Sequence, residues 1–114
     1  AYSEVHGDWR LHAGVDIAGA AGAAVACAGA GTVRSVSHDP LRGWVVEVDH
    51  GGDVVTAYLH LGRVRVGVGD RVRQGQVLGY LGQPGHGEPG APHLHLEVWV
   101  KGTSTDPLAW LRPR

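Results

Sequence analysis

Nearly every periodic stretch of this chain repeats every two residues rather than every 3.6. Glycine, present nineteen times in 114 residues, punctuates those stretches. Short strands joined by tight turns are the structure such a pattern allows, and helix is the minority expectation. The apolar residues are mostly Val, Leu and Ala, with neither Phe nor Met, a composition that suits half-buried strands.

The first periodic element begins around Gly14-Val15-Asp16-Ile17-Ala18 and ends in the Gly/Ala run from Gly19 to Ala24. Residues Gly31 to His38 alternate apolar with polar side chains before Asp39-Pro40 turns the chain. Trp44 to His50 and Asp53 to His60 flank Gly51-Gly52, which is a hairpin signal. Between Val66 and Gly79, short apolar pairs separated by glycines predict short, bent strands. Gln83 to Pro92 carries three prolines and three glycines and reads as an exposed loop, of a kind that often borders an active site. His93 to Val100 is the last strand, and Asp106-Pro107-Leu108-Ala109-Trp110-Leu111 offers an N-cap, a proline at the first helical position and one short helix. The expected fold is therefore mostly β. It is a single small domain, residues 1–114 with its core at about 12–111, with a central antiparallel sheet, short β-hairpins and a groove over its histidine face.

Charge narrows the function. The formal net charge is −1, and nine of the ten basic residues are arginines scattered along the sequence, which gives no electrostatic footprint for nucleic acid or a membrane surface. No stretch reaches the ~18 apolar residues of a membrane span, so no insertion within this domain is expected. No charged-then-apolar leader opens the sequence, so an exported parent would carry its signal elsewhere. The single cysteine, Cys27, lies in an apolar run without a partner and is expected to be a buried small hydrophobe.

Eight histidines are many for this length. His93, His95, Glu97 and Trp99 share one strand face, while Leu94, Leu96, Val98 and Val100 share the other, which is expected to be core. Adjacent imidazoles gain a purpose when a cation sits over them, although His-x-His alone is a weak metal signal. His12 and Asp16 would stand ~13 Å apart on a fully extended strand, so the chain must curve, expectedly at Gly14, if both bind one ion. His12, Asp16 and one histidine of the last strand give two nitrogens and an oxygen and leave a fourth position open, as catalytic zinc requires. His60, at the end of the central hairpin, is the natural metal-free imidazole. The histidines at 6, 38, 50 and 86 are expected to be exposed filler, with His86 able to rim the groove. Glu97 has two readings, as a partner to the site or as a carboxylate paired with an arginine, and is left outside the site.

His12-x-x-x-Asp16, Tyr58-x-His60-Leu61 and His93-x-His95-Leu96-Glu97, in that order, resemble the LytM or lysostaphin-type zinc metallopeptidases of family M23. The resemblance extends over Gly14 to Ala18, Gly69-Asp70-x-Val72-x-x-Gly75-Gln76-x-x-Gly79 and Asp106-Pro107-Leu108. It implies that His12, Asp16 and His95 bind Zn2+ and that His60 and His93 are catalytic. The implied reaction is hydrolysis of peptide cross-links or stem peptides of bacterial peptidoglycan, outside the cytoplasmic membrane. Asp8-Trp9-Arg10 leading into His12 looks like the sporulation protein Q subset, some of whose members are non-catalytic scaffolds. The alternative is thus a zinc-bound adaptor docking an envelope or sporulation partner. Gly85 to Ala91 departs from the commoner family approach to His-x-His, which touches substrate preference. The segment Gly69 to Gly79 also resembles half of a lipoyl or biotinyl carrier, but the one lysine, Lys101, is not at a hairpin tip.

Overall fold

In the computed structural model, residues 9–82 and 92–101 are described, and they form eight strands. These are β1 (Trp9–Ala18), β2 (Ala24–Ala26), β3 (Gly31–Asp39), β4 (Gly43–Asp49), β5 (Val54–Val64), β6 (Arg71–Val72), β7 (Val77–Leu81) and β8 (His93–Lys101). The sheet runs β1-β8-β5-β4-β3-β6, with β7 joined to both β5 and β2, and every pairing is antiparallel. The mostly-β expectation holds, and no helix occurs among the described residues. The expected helix from Asp106 to Leu111 lies outside them.

The hairpin expected around Gly51-Gly52 is β4–β5. Gly51, Gly52 and Asp53 have φ of 77°, 60° and 64°, a left-handed path that glycine follows without steric cost. β5 is the central strand, buried from Val54 to Leu59 on both faces, as its apolar sequence requires of a strand covered on both sides. As far as Leu59 its two faces feed different cores, and beyond His60, Leu61 returns to the core of Tyr58. Tyr58 joins Val25, Cys27, Val33, Val46, Val48, Leu61, Val72, Leu78 and Leu81. Val55, Ala57 and Leu59 pack with Val45 and Trp99 on the opposite face.

That second core modifies the expected face of β8. Leu94 and Leu96 pack against the larger core as expected, but Trp99, on the histidine face, is itself buried. The histidine face is therefore open floor at one end and core at the other. β1 is also longer than expected, starting at Trp9. Its irregularity against β8 falls between Leu11 and Ala13, at His12, and not at Gly14. A bulge inserts one unpaired residue and bends the strand, so the β1–β8 ladder has its own source of bending at His12. Glycine is needed instead at Gly79, where a Cβ would collide with the Arg63 carbonyl as β7 crosses close to β5.

Cys27 is buried and free, as expected. His50 corrects the expectation of exposed filler. It is half-buried, with Nδ1 2.8 Å from the Ala30 carbonyl and Nε2 2.6 Å from Thr56 Oγ1. Thr56 Oγ1 is in turn 2.9 Å from the Tyr58 hydroxyl, which accepts the Ala28 N–H at 2.9 Å. Buried polar groups are tolerated only when paired, and this chain of bonds stitches the loop after β2 to the middle of β5. His38 is exposed and packs edge-on to Trp44 at 5.0 Å, while His6 and His86 lie outside the described residues.

Two consequences follow for stability. Tyr58→Phe removes the acceptor of the Ala28 N–H and a partner of Thr56, which should cost ~1–3 kcal/mol, read by denaturant unfolding. Burial lowers the pKa of His50 below its ordinary 6.5, so between the two pKa values the unfolded chain holds a proton that the native state does not. Its contribution is complete above pH 6.5 and declines as pH falls toward the folded pKa. Unfolding measured across that range should show less acid sensitivity in His50→Gln than in the parent.

Candidate active site

The register of three strands assembles the site. Asp16 of β1 and Leu59 of β5 both pair with His95 of β8, and Ala18 pairs with His93. Cross-strand partners project from the same face, so Asp16 and His95 are neighbours although far apart in sequence. Their side chains meet, with Asp16 Oδ1 2.7 Å from His95 Nδ1. His93 is farther off, its Nε2 3.9 Å from the same oxygen.

His60 reaches the cluster by another route. β5 pairs with β8 only as far as Leu59, then pairs with β7 from Leu61, and the register against β4 shifts between Trp44 and Val46. His60 sits at this handover with φ of 73°. Its N–H donates to the Arg42 carbonyl at 2.8 Å and its carbonyl accepts the Gly82 N–H at 2.9 Å, so both backbone groups remain bonded in a left-handed conformation that disfavours a side chain. Its ring lies 4.9 Å from that of His93 and 6.5 Å from that of His95. A backbone outlier held by its surroundings beside a polar cluster is where functional strain collects.

The hydrogen bond from His95 holds the Asp16 carboxyl below its ordinary pKa against the opposing effect of burial, helped by the charge of the surrounding imidazoles. For His95, burial alone would lower the pKa. The bonds to Asp16 and Glu97 and their negative charge outweigh it and raise it. Glu97, which the sequence left between two readings and outside the site, contacts His95. It is nearly buried, with Oε2 3.0 Å from His95 Nε2 and Oε1 accepting the Trp99 indole N–H at 3.0 Å. Its place two residues from His95 on the same strand face had kept that reading open in the sequence.

Of the five site residues expected from sequence, Asp16, His60, His93 and His95 converge. His12 lies at the β1 bulge, and its side chain is outside the described residues. The donor set suits zinc. Carboxylate oxygen and imidazole nitrogen are its ligands, and two ligands of one ion lie only a few Å apart, as Asp16 and His95 already do. Beyond His60, a cleft of about 240 Å³ opens between the β3–β4 turn and β5, lined by His38, Arg42, Trp44, Gly62 and Gly82.

Comparison with known proteins gives a consistent picture. The sequence profile of Peptidase family M23 matches residues 10–107. Peptidoglycan DD-endopeptidase ShyC of Vibrio cholerae is 39% identical over 103 residues, which is 90% of this chain and 23% of that protein. Stage II sporulation protein Q of Bacillus subtilis is 35% identical over 105 residues, 90% of this chain and 37% of that protein. The crystal structure of a zinc-containing peptidase from Vibrio cholerae superposes with a TM-score of 0.69 at 34% identity, covering 83% of this chain and 29% of that one. The chain therefore spans well under half the length of these relatives.

The strain at His60 is measurable. Glycine carries no penalty in the left-handed region, whereas alanine carries about 1 kcal/mol. Both substitutions delete the imidazole, so His60→Gly should unfold at higher denaturant than His60→Ala by about that amount. Equal stabilities would show that the backbone at 60 relaxes once the ring is gone.

Proposed function

This chain belongs to peptidase family M23, and from that premise we propose that it is a zinc-dependent endopeptidase domain. Its substrates are the peptide cross-links or stem peptides of bacterial peptidoglycan, which places its action outside the cytoplasmic membrane. The observation that carries the reading is the contact of Asp16 with His95 at 2.7 Å, with the imidazoles of His60 and His93 beside it, tilted to each other with their ring centroids 4.9 Å apart. Similarity to a peptidoglycan endopeptidase over 90% of the chain supports the substrate class.

In this reading His12, Asp16 and His95 hold the zinc. The bound ion supplies a Lewis acid that lowers the pKa of water toward neutrality and polarises a carbonyl. His60 and His93 do the proton work. A neutral imidazole has one acceptor and one donor nitrogen, so one ring takes a proton from the attacking water and passes it on to the leaving amine as the C–N bond breaks, while the other donates a hydrogen bond to the developing oxyanion. The left-handed backbone at His60 presents that ring toward His93 from a strand that has already turned away. In this reading the peptide lies along the cleft toward Trp44 and Arg42.

The two kinds of histidine should fail differently. The parent should hold about one zinc per chain and release fragments from purified cell wall. His95→Ala removes one of three ligands, so zinc affinity should fall by orders of magnitude together with activity. His60→Ala should keep its zinc and lose ~100- to 10,000-fold in rate. Loss of zinc in both variants would overturn the assignment of ligands. The similarity to stage II sporulation protein Q gives the second reading its weight. A zinc-loaded parent that cleaves no wall peptide, and whose His60→Ala variant changes only the affinity of an envelope or sporulation partner, would establish the adaptor.

A further inference from the structure

We propose that Glu97, clamped by Trp99, is a positioning residue that fixes His95 as a zinc ligand through Nδ1. The proposal rests on the zinc reading above. It begins with the strand, in which residues two apart share a face and stand ~7 Å from each other. A glutamate midway between His95 and Trp99 is therefore flanked by both.

The carboxylate divides its oxygens between them. Oε1 accepts the Trp99 indole N–H at 3.0 Å and Oε2 lies 3.0 Å from His95 Nε2. An indole N–H can only donate and a carboxylate can only accept, so Trp99 fixes which oxygen faces His95. That oxygen then requires the His95 proton on Nε2. Asp16 Oδ1, equally an acceptor, faces Nδ1 at 2.7 Å, so a metal ion held between Asp16 and His95 would take the place of the Nδ1 proton while Glu97 keeps the proton on Nε2. Histidines that bind metal commonly donate their other N–H to a carboxylate, which sets ring orientation and raises ligand basicity.

Burial makes this arrangement costly without a purpose. Glu97 is 9% exposed and Trp99 4%, in a region where Val45, Val55, Ala57 and Leu59 form an apolar core. A carboxylate is held among such residues only when its bonds offset the loss of water. Here one of the two bonds goes to the histidine of the site.

The test measures zinc affinity by competition with a chelator, and His95 protonation by long-range nitrogen–proton NMR of the zinc-loaded parent. The parent spectrum should show His95 with Nδ1 bound and Nε2–H retained. Glu97→Ala should weaken zinc ~10- to 100-fold. Glu97→Gln offers one oxygen and one NH2, so an amide that accepts from His95 must turn its NH2 against the Trp99 N–H. Trp99→Phe should therefore weaken zinc binding when Glu97 is present and strengthen it several-fold in the Glu97→Gln background. A structural loss at Trp99 would act in the same direction in both. Glu97→Gln is close to isosteric and stands in should Glu97→Ala fail to fold. Parent-like zinc affinity in a folded Glu97 variant, or His95 bound through Nε2, overturns this proposal alone. A parent that binds no zinc overturns the functional reading along with it.

Discussion

The arrangement turns on the hydrogen-bond allegiance of one strand. β5 is flanked by β4 and β8 through Leu59 and then hands its outer edge to β7 from Leu61. The handover leaves His60 in the left-handed region, with both backbone groups bonded outside the β5–β8 ladder. It also ends β5–β8 pairing at the row that carries Asp16 and His95. Site geometry and strand exchange are thus one feature, and the site sits where the sheet changes partners.

Much of this was legible in the sequence. Alternation marked β3 and β8, and Gly51-Gly52 marked the turn between β4 and β5, because strand periodicity and left-handed turns are local properties. The shared face of His93, His95, Glu97 and Trp99 was legible for the same reason. What the sequence did not disclose depends on contacts between distant segments. The second core beneath Trp99 needs Val45 and Val55 from other strands, and the burial of His50 needs Ala30 and Thr56 around it. The bulge at His12 is a mismatch of two ladders, invisible in either strand alone. The place of Glu97 stayed open in the sequence because a carboxylate on a strand reads equally as an arginine partner or a support for the site until its neighbours are known.

Buried polar groups divide here into two uses. The network from His50 through Thr56 to Tyr58 satisfies donors and acceptors that the fold itself strands, on the same strand that carries His60. The pair Glu97 and Trp99 terminates on His95 and so belongs to the site. An apolar core would gain nothing from a carboxylate at that position, which is why its presence points toward function rather than stability. The strain at His60 points the same way, since a local rule is broken where the proposed chemistry is concentrated.

Because the chain spans only part of the length of its relatives, the account concerns what this domain can do by itself, and its central claim is a division of labour among histidines. Anomalous diffraction at the zinc edge from crystals of the zinc-loaded domain tests that division most directly. The account predicts a single peak bonded by His12, Asp16 and His95, with the rings of His60 and His93 beside it and unbound. A peak ligated by His60 or His93, or no peak among these residues, would contradict it.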